Sequence, residues 1–173
     1  MLKRRLITIF AAIVIALPLG AGASQAATKC SSSYSSKTCA TTTSRAGSTF
    51  VAGYRDSVIN QKSYAINGTC QASTSKTVGH SVSTSVTASV KGLIFASMDA
   101  TLSANIDKSM STGYVTSASF KVPARSTVKC DRGIYTEKAN GYTTHSWYSA
   151  GKGGSTKSYW TSTAPSRAAW VIY

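Results

Sequence analysis

The chain has 173 residues, and its 19 Lys and Arg residues against five Asp and Glu residues give a formal net charge of +14. A chain of this length is sufficient for one domain with a buried core. The basic residues are scattered singly and do not alternate with stacking aromatic residues. This pattern excludes a typical nucleic-acid-binding protein and favours an anionic envelope polymer, a lipid surface or another secreted protein as the partner.

The first 26 residues have the pattern of an export signal. Lys3, Arg4 and Arg5 precede an apolar run from Leu6 to Leu19, and small residues follow. We expect cleavage after Ala26, with the sequence Ala-Gly-Ala at 21–23 as the second choice. Since the signal holds three of the basic residues and none of the acids, the net charge of +14 becomes +11 in the mature protein. The pattern therefore predicts a secreted, extracellular protein.

Four cysteines follow the predicted cleavage site, and disulfides persist in exported proteins. Four cysteines allow three pairings, and the short spacing of the first two favours Cys30–Cys39 together with Cys70–Cys130. A zinc site is not indicated, because no Cys-x-x-Cys pair is present and neither histidine has ligand spacing to the thiols. We expect no metal and no cofactor.

The composition after the signal is typical of β-strands, because about a third of the residues are Ser or Thr, with valines between them. Residues 27–48 contain almost nothing to bury, and we expect a flexible Ser/Thr-rich N-terminal segment that carries Cys30 and Cys39. Residues 49–173 are expected to form an all-β domain, either a single antiparallel β-sandwich or an elongated β-sheet.

Within that domain the alternation of apolar and polar residues predicts a series of short strands. Asn67-Gly68 indicates a turn or a bend, Asn140-Gly141 indicates a hairpin turn, and Ser149–Ser158 indicates a flexible loop. The predicted strands are Thr49–Tyr54, Tyr64–Gln71, Val78–Val90, Ile94–Ile106, Tyr114–Val122, Thr127–Thr136, Tyr142–Ser149, Ser158–Thr163 and Ala168–Tyr173. The apolar last strand is expected to dock in the core or in a partner.

The segment from Ile94 to Ile106 fits two periods. Its apolar residues alternate, as in a strand, but Ile94, Met98 and Leu102 are also four residues apart, as on one side of a helix. Ser, Thr and Asn fill the intervening positions, where a helix favours Glu, Lys or Gln. We therefore predict a strand.

The region from Thr74 to Cys130 resembles the pore-forming module of the aerolysin and epsilon-toxin group of β-pore-forming proteins. The similar features are long Ser/Thr-rich alternating strands, the apolar tip GLIF at 92–95, and the returning strand followed by FKVPARSTVKC at 120–130. The chain also resembles small secreted actinobacterial proteins without an assigned activity. The first resemblance implies a long antiparallel sheet with a hairpin, tipped by Leu93, Ile94 and Phe95, that detaches, oligomerises and crosses a bilayer. From the residues themselves we favour the simpler interpretation, in which the same residues line the core of an ordinary β-sandwich.

Catalysis is not indicated by the sequence. A nucleophilic serine needs a base within hydrogen-bond reach, and neither His80 nor His145 lies in a Gly-x-Ser-x-Gly setting. The five acids form no pair with the spacing of glycosidase carboxylates. We do not expect an enzyme.

Aromatic residues concentrate in the last third of the chain, where they surround a basic loop. This pattern favours core filling and cross-strand pairing, and the alternative is a surface that stacks on sugars or lies at a membrane interface. The candidate binding surface comprises Trp147, Tyr148, Lys152, Lys157, Tyr159 and Trp160. The sequence thus predicts a secreted, non-enzymatic protein that binds at a cell envelope or to a protein partner. The alternative is a small pore-forming or membrane-active protein of the aerolysin type, for which an oligomer is possible.

Overall fold

The computed structural model describes residues 26–113 and 116–173. Most of these residues lie in antiparallel strands, and one helix is present among them, so the prediction of an all-β domain is confirmed. The predicted export signal lies outside the described residues apart from Ala26. Tyr114, the first residue of one predicted strand, also lies outside them.

A five-stranded antiparallel sheet forms the body of the molecule. Its strands are β1 (Ala27–Ser32), β2 (Ser36–Asn60), β8 (Ser126–Ser149), β9 (Lys152–Ile172) and the short β5 (Ser81–Val82), in the spatial order β1-β2-β8-β9-β5. At ~3.3 Å per residue, the three longest strands extend over about 80 Å. The architecture is therefore an elongated sheet.

Two turns lie side by side at one end of this sheet, which we call the distal end. One is the β1–β2 turn at residues 33–35, and the other is the β8–β9 turn at Ala150 and Gly151. The backbone N–H of Tyr148 donates to the carbonyl of Ser35 (2.8 Å), which joins the two hairpins. The opposite, proximal end holds Asn60 and Ser126, which pair with each other.

Residues 27–48, expected to be flexible, instead form β1 and the first half of β2. Cys30 and Cys39 are directly opposite each other in the β1–β2 ladder and form a disulfide. On its other side β2 pairs with β8 from Ser36 to Asn60. Backbone hydrogen bonds and the disulfide order a segment that has few apolar side chains to bury.

The predicted turn at Asn140-Gly141 is wrong, because both residues lie inside β8. The glycine at 141 instead lets the Trp160 ring and the Thr41 carbonyl lie close to the backbone of β8. A Cβ atom at this position would lie 2.3 Å from the ring of Trp160 and 2.2 Å from the carbonyl of Thr41. The predicted loop Ser149–Ser158 is also replaced by strand. Ala150 and Gly151, with φ of 50° and 77°, make a tight turn suited to a two-residue hairpin.

Two shorter strand pairings complete the β-structure. Strand β3 (Ile66–Ala72) pairs with β7 (Thr116–Val122), and β4 (Thr77–Gly79) pairs with β6 (Ser109–Ser111). The predicted turn or bend at Asn67-Gly68 lies within β3. Cys70 of β3 forms the second disulfide, with Cys130 of β8. The two disulfides, Cys30–Cys39 and Cys70–Cys130, are the predicted ones, and disulfides are typical of extracellular proteins.

The predicted strands Val78–Val90 and Ile94–Ile106 are wrong, apart from the short strands β4 and β5. The structure has helix α1 at Ala88–Leu102, with β4 and β5 before it and β6 after it. The four-residue spacing of Ile94 and Met98 decides the conformation, because both side chains are fully buried against the sheet. The predicted hairpin tip, Leu93 to Phe95, lies in the middle of this helix.

Helix α1 covers the distal half of one face of the sheet through two apolar clusters. In the first, Ile94 packs with Ala40 and Trp160, and in the second Met98 packs with Ala139 and Ala164. Beyond this region, the C-terminal strand pairs with the proximal part of β8, from Cys130 to Ile134. The apolar chain end is thus paired as a strand but is not buried in the core, since Ile172 and Tyr173 are 41% and 62% exposed.

Candidate functional site

The segment between β3 and β7, which we call the insert (residues 73–113), has a register that is continuous with the strands that bound it. The β3–β7 pairing ends at Ala72 opposite Thr116, and the β4–β6 pairing begins at Thr77 opposite Ser111. The same number of residues separates the two pairs on each side. The two ladders, which belong to separate two-stranded sheets, therefore share one register.

Hydrogen bonds outside the two short ladders follow the same register. Thr112 N–H donates to the carbonyl of Lys76 (2.9 Å), and Lys76 N–H donates to Thr112 Oγ1 (2.9 Å). Farther along, His80 N–H donates to the carbonyl of Lys108 (2.8 Å). The base of a hairpin is thus already formed as far as His80 and Lys108.

Continuing this register beyond His80 and Lys108 separates the remaining residues of the insert by polarity. One face receives only apolar residues and a threonine, and the turn falls at Ile94, the centre of the predicted tip. The pairs on this face are Val82 with Ile106, Thr84 with Ala104, Val86 with Leu102, Ala88 with Ala100, and Val90 with Met98. The pairs on the other face are Ser81 with Asp107, Ser83 with Asn105, Ser85 with Ser103, Thr87 with Thr101, Ser89 with Asp99, and Lys91 with Ser97.

In the structure these residues form α1 instead, and the helix has weak intrinsic support. Its N-cap residue, Thr87, makes no side-chain capping bond, and the helix has no acidic residue in its first turn and no basic residue in its last turn. Gly92 and several β-branched residues lower its helix propensity. Packing against the sheet therefore supplies most of its stability.

Polar contacts supplement the apolar clusters beneath α1. Ser97 is fully buried, and its hydroxyl lies 2.9 Å from the hydroxyl of Thr42 on β2. Thr101 Oγ1 accepts a hydrogen bond from the backbone N–H of Ala27 (3.2 Å). These hydroxyls fix the helix to β1 and β2 at defined positions.

His80 joins the base of the insert to both the helix and the sheet. Its Nε2 lies 2.7 Å from Ser162 Oγ on β9, and its ring meets the edge of Phe95 at 5.2 Å between centroids. Burial, followed by the charges of Lys91 and Lys108, lowers the pKa of His80 from 6.5 to about 4. The contact is therefore made by a neutral imidazole.

A cavity of about 270 Å³ opens beside this histidine. His80, Lys91, Phe95 and Lys108 line it, together with Ala88 and Gly92 at the start of α1. The Lys108 ammonium lies 5.8 Å from the centroid of the Phe95 ring. The cavity lies at the N-terminal part of the helix, whereas Ile94 and Met98 in its middle are fully buried.

The candidate binding surface is only partly brought together by the structure. Trp160 is 4% exposed and packs under α1, so it does not belong to a surface. Trp147 and Tyr148 are adjacent in β8 and therefore point to opposite faces of the sheet. Lys157 lies close to two tyrosines, with its ammonium 3.8 Å from the ring centroid of Tyr142 and 5.2 Å from that of Tyr159. Lys152 is exposed at the start of β9.

The residues that hold the insert on the sheet, Thr42, Ser97, Trp160 and Ser162, were not predicted from the sequence. The four-residue apolar spacing is the signal that points to Ser97, which follows the buried Ile94 by one helical turn. Thr42, Trp160 and Ser162 become identifiable only when the strand register is known.

Within residues 26–113 and 116–173, no group of three or more His, Cys, Asp or Glu side chains is arranged to hold a metal ion. The same residues include no helix with the length and hydropathy needed to cross a membrane. No family model matches the chain, and searches of curated proteins and of solved structures found no match.

Proposed function

We propose that the protein is membrane-active, and that the insert leaves the sheet and refolds as one continuous β-hairpin that enters a bilayer. The observation that carries this proposal is the unshifted register from Ile66 opposite Val122 to His80 opposite Lys108. Its continuation yields one apolar face, one Ser/Thr-rich face and an apolar tip. This is the conversion that the resemblance to aerolysin-type proteins implies.

The dimensions of the hairpin suit a bilayer. About 9 to 11 residues of a tilted strand cross the hydrocarbon layer, and residues 82–90 and 98–106 provide two such strands. The charged residues are placed accordingly. Lys91, Asp99 and Asp107 fall on the polar face, while His80 and Lys108 lie together at the base, outside the apolar stretch.

The soluble fold favours such a conversion in two ways. The ends of the insert are already held opposite each other by β3 and β7, so the entropy of closing the hairpin loop is largely paid. Helix α1 depends on its contacts with the sheet, and loss of those contacts leaves a segment with β-favouring composition. Strand pairing can then proceed residue by residue from His80 and Lys108 towards Ile94.

A single inserted hairpin would leave two rows of backbone groups without hydrogen-bond partners in lipid, which costs several kcal/mol per group. Insertion therefore requires several copies side by side, with each hairpin edge paired to the next. Their Ser/Thr-rich faces would together line a water-filled passage. The expected product of the reaction is leakage of small solutes.

A disulfide that fixes α1 to the sheet tests this proposal. The hydroxyls of Thr42 and Ser97 are 2.9 Å apart, so Thr42→Cys with Ser97→Cys places two thiols within reach of an S–S bond of about 2.05 Å. We expect the native protein to release dye from anionic liposomes and the cross-linked variant to release none until it is reduced. The two single-cysteine variants and reduced native protein are the matched controls.

Two outcomes of this experiment contradict the proposal. Liposomes that stay intact with the native protein remove the membrane activity, and the prediction of a protein that acts by binding alone is then the one to pursue. Release by the fully cross-linked variant at the native rate shows that the insert does not need to leave the sheet.

A further inference from the structure

The distal end of the sheet combines exposed aromatic rings with basic side chains. We propose that this end docks the protein on an anionic lipid surface before the insert opens. The docking surface, which we call the basic aromatic tip, comprises Tyr34, Lys37, Trp147, Tyr148, Lys152 and Lys157. This inference rests on the proposed function, for which it supplies the target surface.

The aromatic residues of the tip lie at the two joined turns. Tyr34, in the β1–β2 turn, is fully exposed, and Tyr148 and Trp147, at the end of β8, are 63% and 42% exposed. The hydrogen bond from Tyr148 N–H to the carbonyl of Ser35 holds the turns together. Tyr and Trp rings at such positions are typical of the interface between water and lipid, where one part of the ring is wet and the other apolar.

The lysines of the tip are arranged around these rings. Lys37 of β2 pairs with Ser146, and Lys157 of β9 pairs with Thr144, so both lie on the face of β8 that also carries Tyr148. Helix α1 packs on the opposite face, against Ala40 and Trp160. The face that carries Lys37, Lys157 and Tyr148 is therefore open to a ligand, while Lys152, paired with Ser149, lies at the β8–β9 turn on the side of Trp147.

The charge of the distal part of the sheet is entirely positive. Residues 27–43 and 138–163 contain five lysines and no Asp or Glu. All five acids of the protein lie elsewhere, in the proximal part of the sheet, in Glu137 beside the distal region, or in the insert. Glu137 is buried and forms an ion pair with Arg45 (2.5 Å), so it does not offset the distal lysines. Such a surface attracts anionic head groups.

The direction of the insert supports a lipid partner over a soluble polymer. Gly68 of β3 lies beside Val58 of β2, and Lys76 of the insert lies beside Gly53 of β2. His80, farther along the insert, contacts Ser162, which pairs with Ala139, and Ala139 pairs in turn with Arg45 of β2. The hairpin base thus advances along the sheet towards the distal end. Fourteen further residues at about 3.3 Å each would carry Ile94 some 46 Å onward, past the turns. The tip that inserts and the basic aromatic tip therefore face the same way.

Co-sedimentation of the protein, with its two native disulfides intact and without an added cross-link, with vesicles tests the docking surface. The vesicles contain phosphatidylcholine alone or phosphatidylcholine with phosphatidylglycerol, and the variant carries Lys37→Gln, Lys152→Gln and Lys157→Gln. We expect binding to the anionic vesicles only, and a 10- to 100-fold loss of affinity in this triple variant. The matched control changes three exposed lysines of the proximal region, Lys62→Gln, Lys121→Gln and Lys129→Gln, and we expect less than a twofold loss.

Equal losses in the two triple variants, or binding to phosphatidylcholine alone that matches binding to the anionic vesicles, would overturn the docking surface. Capture by an anionic wall polymer without binding to anionic vesicles would also overturn it in favour of a polymer site.

Tethering the distal triple variant to vesicles through an N-terminal histidine tag and nickel-chelating lipid separates this inference from the proposed function. Restored dye release shows that the insert still functions when docking is bypassed, whereas tethered native protein that releases nothing contradicts the hairpin and leaves the binding result standing.

Discussion

Trp160→Ala is expected to free the insert while leaving the hairpin sequence itself unchanged. The indole is 4% exposed, and it lies between Gly141 of the sheet and the cluster that contains Ile94 of α1. Removal of a buried Trp side chain costs about 3–5 kcal/mol. Because the ring contacts the sheet on one side and the helix on the other, we assign about half of this loss, ~2 kcal/mol, to helix docking, which corresponds to roughly a 30-fold larger open population.

Trypsin provides the readout, because Lys91 lies in α1 and becomes cleavable when the helix opens. We expect Trp160→Ala to raise the rate of cleavage after Lys91 by roughly this factor and to lower the protein concentration needed for dye release. Trp170→Ala is the matched control, since Trp170 belongs to the same strand but contacts Arg132 and neither helix cluster. It should weaken the sheet without a selective gain in cleavage.

The reasoning is refuted if Trp160→Ala leaves cleavage after Lys91 unchanged relative to cleavage in the sheet. It is equally refuted if cleavage rises and dye release falls while vesicle binding is unchanged. The first result would show that the insert and sheet open as one unit, and the second that opening of the helix does not lead to insertion.

Three further predictions concern the insert and the disulfide of strand β3, which precedes it. Gly92→Ala should stabilise α1 by about 1 kcal/mol, because no atom lies within 4 Å of the added Cβ, and a several-fold higher threshold for dye release measures this effect. Since the pKa of His80 is about 4 in the docked insert and 6.5 in an open one, docking is strongest above about pH 6.5 and weakens as the pH falls towards 4. The ratio of trypsin cleavage after Lys91 to cleavage at a sheet site in the same sample, which cancels the pH dependence of trypsin itself, should become independent of pH in His80→Gln. It should keep its pH dependence in His145→Gln, where the ring is exposed, and an unchanged profile in His80→Gln contradicts the assignment. Cys70→Ser with Cys130→Ser removes the bridge between β3 and β8, and a thermal melt should show a loss of about 4 kcal/mol for the loop of 60 residues, whereas an unchanged melting temperature would show that the bridge does not support the fold.

The alternation of apolar and polar residues was sufficient to predict the class of the fold but not the lengths of its strands. Asn140-Gly141 has the residues of a hairpin turn, yet both residues lie within β8. A glycine is required at 141 because the Trp160 ring occupies the space where a Cβ would be. That contact connects residues on two strands, and a single sequence does not reveal it. The disulfide pairs, by contrast, followed correctly from export and spacing.

The conformation of the insert illustrates a different limit. Residues 94–106 fit a strand and a helix equally well, and the choice depends on whether the sheet offers a surface for Ile94 and Met98. In the structure Ala40 and Trp160 provide that surface, and the helix forms. The strand pattern is not explained by this state, and the proposed hairpin accounts for it. The prediction that Trp160 belongs to the binding surface was wrong for a related reason. The face of the sheet on which Trp160 lies depends on the strand register, which a single sequence does not reveal.

Cysteine cross-linking within the insert is the most direct test of the hairpin register. Ser89 and Asp99 are both exposed in α1, where a separation of ten residues places them about 15 Å apart, too far for a disulfide. In the continued register they are directly opposite each other on the polar face. We predict that Ser89→Cys with Asp99→Cys remains unlinked in solution and forms a disulfide on anionic liposomes, while Ser89→Cys with Ala100→Cys, one residue out of register and on opposite faces, does not. Absence of the first disulfide in membrane-bound protein, or equal formation of both, would contradict the account.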